Sequence, residues 1–284
     1  MKQLIVNADD FGSSPDRNQS TIEAHRKGIV TSATLLINRP AAAAGIELAR
    51  AEAPRLGLGL HLNLTSGQPV LPPEHVPSLV DETGNFYPIS RWAAVMDQFS
   101  PDELRAEIEA QFDAFVRLAG HAPDHLDSHH HAAYLHPAGL RTLLDLAVRH
   151  NLPIRYPLLD LPDEQAQALM RRVLVGMEPE RTRALQDWLR AVLDDGPRPR
   201  WPDRLVLDYS NDRPTLGALL VALTTLEDGS IAELVVHPGY VAEAVRAGRL
   251  DEGREDELVH LTHAATRECV QSEEIHLVTF DALR

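Results

Sequence analysis

The sequence predicts an α/β protein: a parallel sheet closed into a TIM-like (β/α) barrel, carried by a single domain over residues 1–284 with a helical insertion at about 163–200. Three observations predict it. Strand-like runs and helical patterns alternate about eight times, as in a parallel sheet whose strands are joined by crossover helices. Residues capable of chemistry recur at the ends of those runs, where barrel enzymes assemble sites from separate strands. The length, 284 residues, is one that α/β barrels commonly fill as one domain. A doubly wound open sheet is the alternative.

Strands are predicted at 3–7, 30–37, 57–64, 125–129, 153–158, 205–209, 231–237 and 275–280, all short and rich in aliphatic or β-branched residues. Between them, helical periodicity covers 20–27, 41–52, 101–118, 137–149, 216–226 and 252–270. Pro101 and Pro137 suit a first helical turn, and Asp102 and Glu103 suit the positive end of the helix they open. Two stretches break the alternation. Residues 66–90 hold Pro69, Pro72, Pro73, Pro77 and Pro88 without periodicity and predict a long loop beside the site. Residues 163–200 hold helix-like pieces near 166–174 and 180–193, an insertion that covers the barrel mouth or offers oligomer surface.

A formal charge of −15 argues against nucleic acid and anionic membranes as partners, since both reward clustered Lys and Arg. No charge-free apolar run reaches the length of a membrane span, and the N-terminus enters a strand-like run at once. Cys269 is the single cysteine, which excludes an intrachain disulfide and fits a reducing compartment. The expectation is a soluble, unexported, cytoplasmic protein.

The segment 121–136 holds six of the chain's fourteen histidines: His121, His125, His129, His130, His131 and His136. Imidazole is both a common ligand for transition metals and the side chain that titrates near neutrality, so this density points to a metal, a proton relay, or both. Strand alternation puts His125, Asp127 and His129 on one face, where Asp127 could orient a ligating histidine instead of touching metal. His130 and His131 are weaker candidates. Asp9-Asp10 follows the first strand. Alone, such a pair also suits a turn or helix cap, but two adjacent like charges near a barrel mouth are relieved by a cation. In 57–64, Gly57, Gly59, His61 and Asn63 share one face, and the glycines leave room beside the polar pair. His237 precedes Pro238-Gly239, a sharp strand exit. A hydrogen-bonded core histidine is the plainer reading of His61 or His237 taken singly.

Together these stretches carry a resemblance. Val6-Asn7-Ala8-Asp9-Asp10-Phe11-Gly12, Gly59-Leu60-His61, His125-Leu126-Asp127-Ser128-His129-His130-His131 and Val236-His237-Pro238-Gly239 resemble the YdjC-like carbohydrate deacetylases, which include chitooligosaccharide deacetylases. The resemblance covers nearly the whole chain; the first and third motifs are its specific part. It implies a distorted (β/α) barrel, one divalent cation, and hydrolysis of an N-acetyl group from an amino sugar or short oligosaccharide. By position it makes Asp10, His61 and His129 the metal ligands, Asp9 the catalytic base and His237 the acid. Arg155 matches a family arginine that orients Asp9 or binds substrate, and Asn63 and His131 are further candidates for substrate contact. One departure stands out: family members commonly carry another histidine two residues beyond the triple histidine, where this chain has Ala133. The ligand set is intact, and chitobiose specificity does not follow.

The resemblance suggests Mg²⁺, whereas one carboxylate and two imidazoles suit Zn²⁺ or another transition metal. Two rival classes stay open: a metal-dependent sugar or sugar-phosphate isomerase or lyase, against which the lack of a Gly-rich phosphate fingerprint counts, and a degenerate metal-bearing sugar-binding protein, against which the presence of Asp9 and His237 counts. Exposed barrel helices leave room for a homodimer.

Overall fold

A computed structural model describes residues 1–155, 170, 173–206, 209, 214–240 and 252–284. In chain order the regular elements are β1 (Lys2–Phe11), α1 (Pro15–Lys27), β2 (Ser32–Leu35), α2 (Ala42–Glu52), β3 (Gly57–Leu62), α3 (Ile89–Val95), α4 (Pro101–Ala119), β4 (Leu126–Ser128), α5 (Pro137–Arg149), α6 (Pro179–Asp195), β5 (Arg204–Val206), α7 (Leu216–Thr224), β6 (Ile231–Val236), α8 (Glu252–Thr262), α9 (Ala264–Ser272) and β7 (Ile275–Leu277). The strands form a seven-stranded sheet in the order β4-β3-β2-β1-β6-β5, with β7 also on β1. Its registered pairs are parallel. The predicted α/β class with a parallel, helix-flanked sheet is therefore the one observed.

By internal contacts the chain divides into two compact units, Met1–Gly59 with Trp201–Arg284, and Leu60–Arg200. The first unit is organised by β1, ten residues of which the last eight are buried. A central parallel strand is covered on both faces, so a near-continuous hydrophobic run is the expected sequence. Its pairing with β6 runs from Gln3 to Ala8, so β7 at Lys2–Leu4 and β2 from Asn7 onward must share the opposite edge. The strand was expected to stop at residue 7. It continues to Phe11 through a register shift between Ala8 and Phe11, which is where Asp9 and Asp10 lie.

The second unit is built on α4 and α5. Leu104, Ile108, Phe115, Leu140, Leu143 and Leu144 are all fully buried. Within each helix they recur at spacings of three, four or seven residues and so share one face. Ser100 caps α4 through Glu103 N, with Pro101 in the first turn, and Gly120 ends the helix in the left-handed conformation (φ 78°).

Four expectations shift. Helix α1 starts at Pro15 with Ser14 as its cap, not at residue 20. The predicted helix 252–270 is two, because the His263 side chain accepts Ala265 N–H and opens α9. The stretch 66–90 contains a 3-10 turn at Pro73–His75 and an antiparallel bridge between Val80 and Phe86, and α3 begins at its end. The predicted strand 153–158 is represented by a parallel bridge of Ile154 to Leu126, and 156–158 lie outside the described residues, as do 207–208 of the predicted strand 205–209. Within 163–200, α6 accounts for the second helix-like piece; most of the first, 166–169 and 171–172, lies outside the described residues. No described helix is long and apolar enough to cross a membrane.

Candidate active site

The first unit supplies two carboxylates and a histidine. Asp10 adopts φ 65° and Gly12 φ 85°, so the chain turns sharply as it leaves β1. A Cβ on Gly12 would meet Leu35 Cδ1 at 2.8 Å and Ala42 Cα at 3.1 Å, which is why glycine stands there. The Gly12 N–H donates to Asn18 Oδ1 (2.7 Å), tying the turn to α1. Asp9 and Asp10 are both buried. Asp9 Oδ1 accepts from Asn7 Nδ2 (2.9 Å) and from Thr34 Oγ1 (3.3 Å), so β1 and β2 aim this carboxylate. Its Oδ2 lies 3.9 Å from His237 Nε2, just past the end of β6, and the His237 side chain keeps 31% of its surface exposed.

Helix α8 adds two residues the sequence did not single out. Arg254 Nη1 pairs with Asp10 Oδ2 at 2.9 Å. Glu257 Oε2 accepts the main-chain N–H of His237 at 2.5 Å. Burial pushes the Glu257 carboxyl up to about 7; the His237 N–H and the charges of Arg254 and Arg17 oppose that rise, and Asp9 adds to it. Both residues fall within the predicted helix 252–270. Nothing in their local pattern separates them from a solvated helix face, because their partners come from β1 and the end of β6.

The second unit holds its own group of imidazoles. His61, on β3, bonds through Nδ1 to Asp127 Oδ1 (2.6 Å) on β4, and Arg155 Nη2 pairs with Asp127 Oδ2 (2.8 Å). All three residues are buried. Asp127 thus orients a histidine, as the sequence suggested, but the histidine is across the strand pair and not on its own strand. With Nδ1 engaged by Asp127, a ligand role for His61 would fall to Nε2. The rings of His61 and His129 lie edge to face with centroids 5.3 Å apart.

Beyond His129 the chain turns through left-handed residues His130 (φ 52°) and His131 (φ 56°), with His130 Nδ1 2.9 Å from Thr65 Oγ1. His125 is buried with Nδ1 2.5 Å from Asp124 Oδ1. The Asn63 side chain serves its own turn: Oδ1 accepts Thr65 and Ser66 N–H, and Nδ2 donates to Ser66 O. For Arg155, expected to orient Asp9 or touch substrate, the pairing with Asp127 defines a support for His61.

A parallel α/β fold with carboxylates and imidazoles at strand carboxyl ends defines a class, that of barrel-type enzymes whose sites are gathered from several strands. The profile of the YdjC-like protein family matches residues 3–272. The chain belongs to the YdjC-like family. It is 36% identical over 282 residues to a carbohydrate deacetylase of Brevibacillus brevis, covering 99% of each chain. A chitooligosaccharide deacetylase of Proteus mirabilis is 43% identical over 155 residues, 54% of this chain and 58% of that one. Among solved structures, one from Enterococcus faecalis V583, provisionally described as a cellobiose-phosphate cleavage protein, superposes with a TM-score of 0.80 at 30% identity over 99% of this chain and 98% of that one.

Proposed function

We propose that this protein removes the acetyl group from an N-acetylated amino sugar or short oligosaccharide, and that Asp10, His61 and His129 hold one divalent metal ion for the reaction. Full-length kinship to carbohydrate deacetylases makes the chain a hydrolase acting on a small carbohydrate. The observation that carries the metal assignment is the pairing of two imidazoles, His61 and His129, with ring centroids 5.3 Å apart and His61 held through Nδ1 by Asp127; the family resemblance adds Asp10 as the carboxylate. One carboxylate and two imidazoles fit a borderline transition metal such as Zn²⁺ and also accept Mg²⁺ through the carboxylate. Asp127 is disfavoured as a ligand because it already spends one oxygen on His61 and the other on Arg155.

When bound, the ion would act as a Lewis acid towards the acetyl group. Asp9, aimed by Asn7 and Thr34, takes a proton from the attacking water, whose oxygen adds to the acetyl carbon. The C–N bond then breaks with its electron pair going to nitrogen, and His237 delivers the proton that makes the departing group a free amine. Its exposed edge and its 3.9 Å approach to Asp9 suit a proton donor facing substrate. His131 remains a proposed substrate contact, and Asn63, fully buried, is proposed to act through the turn it holds. The free thiol of Cys269 supports a reducing, cytoplasmic setting, and a homodimer is part of the same proposal.

The deciding assay measures acetate and free amine over a panel of N-acetylated mono- and disaccharides with defined metals and with chelator. Equal release of both, lost on chelation, is expected. Cleavage of a phosphorylated disaccharide without acetate would replace this reading with the one its Enterococcus faecalis relative suggests, and tight sugar binding without turnover would replace it with a binding protein.

A further inference from the structure

His237 has to hold its imidazole against Asp9 from a position where the strand has already ended. Pro238 follows it, so the next residue has no N–H to donate and the chain leaves β6 without ladder pairing. Contacts to two helices hold the exit instead, among them the Gly239 N–H donating to Arg254 O on α8 at 3.0 Å. Ser20 Oγ on α1 donates to Pro238 O at 3.0 Å, and Glu257 Oε2 on α8 accepts the His237 N–H at 2.5 Å. Glu257 is only 7% exposed. Burying a carboxylate is costly, so a glutamate maintained there needs compensation, which the N–H bond and the nearby guanidinium groups of Arg254 and Arg17 provide. A neutral residue would fill the space at less cost. Arg254, one helical turn before Glu257, meets Asp10, so one face of α8 reaches both the β1 carboxylates and the β6 exit.

We propose that Glu257 is the positioning residue of His237: by gripping the main-chain N–H it fixes the backbone from which the imidazole is aimed at Asp9. The proposal rests on His237 being the proton donor. Glu257 itself touches neither substrate nor the acetyl group.

The test uses the full-length, metal-loaded chain and compares Glu257→Leu, Glu257→Gln and Glu257→Asp by metal content, thermal melting, acetate-release kinetics and NMR of the His237 ring. Displacement of a catalytic group by about 1 Å costs about 10²-fold in rate, so Glu257→Leu should lower kcat by about 10- to 100-fold, with KM within about twofold and metal content unchanged. The His237 ring resonances should move. Glu257→Gln keeps an acceptor oxygen and should recover to within about fivefold of the parent, because the grip and not the charge is what positions the ring. If Glu257→Leu does not fold, Glu257→Asp takes its place: one methylene shorter, it withdraws the acceptor and should show the same loss of kcat. Parental kcat with unmoved His237 resonances in the leucine or aspartate variant overturns the proposal, as does a glutamine variant damaged as badly as the others. His237→Ala separates the two readings. Undiminished acetate release from that variant defeats the catalytic role of His237, while the NMR comparison still decides whether Glu257 holds its backbone.

Discussion

His136 is buried against Phe99, and its Nδ1 accepts the Ala138 N–H at 3.2 Å, closing the start of α5. Only the neutral ring can make that bond. Burial pushes its pKa from 6.5 down to about 4, against the opposing effects of the Met96 backbone and the Asp97 charge. A base with a depressed folded pKa takes up its proton on unfolding, so its contribution is complete above pH 6.5 and is lost as the pH falls towards 4. The loss is on the order of 3 kcal/mol. His136→Asn, which caps without titrating, should lose stability less steeply than the parent across that range in denaturant melts; parallel curves would refute the assignment. From the sequence His136 counted as one more member of a histidine cluster. Its burial and its cap separate it from His129, and neither is visible in the residue type.

At the scale of elements, α4 holds the preceding segment by a row of side chains spaced four residues apart. Gln111 bonds both main-chain groups of Asn63, at 2.9 Å and 2.7 Å, in the manner of a sheet neighbour. Glu107, fully buried, accepts Val70 and Leu71 N–H and Gln111 Nε2. Glu103 accepts both N–H and Oγ of Ser78. Burial raises the Glu107 carboxyl and those donors pull it back. Glu107→Ala leaves two part-buried N–H groups without their acceptor, which costs about 1–3 kcal/mol and should speed proteolytic cleavage between residues 66 and 80. Unchanged stability and an uncut loop would mean this row does not hold the segment. Helix α5 was readable to both ends and α4 to within one residue, because each joins strong periodicity to a proline start. Helix α3 was not. Its seven residues are too few for a pattern, and it forms around the fully buried Trp92.

For the molecule as a whole, the central prediction separates the two adjacent carboxylates. Asp9→Asn keeps size and hydrogen bonding but cannot take a proton, so it should retain the metal while turnover falls by about 10²–10⁴. Asp10→Asn removes the one anionic donor of the proposed ligand set and should lose both metal and activity. Metal content and acetate release, measured side by side, exchange the roles if the pattern reverses. Sequence alone determined the parallel α/β class, because period-two runs alternating with amphipathic helices admit few other packings, and it marked Asp9, Asp10, His61, His129 and His237 through motifs spread over the chain. Tertiary structure decided what surrounds them. That Asp127 serves His61 depends on the β3–β4 register, that Arg254 meets Asp10 depends on where α8 lies over β1, and that Glu257 grips His237 depends on residues twenty apart in the chain. Periodicity reports which face of an element is buried; the partner on that face is chosen by packing between elements, which no local pattern encodes.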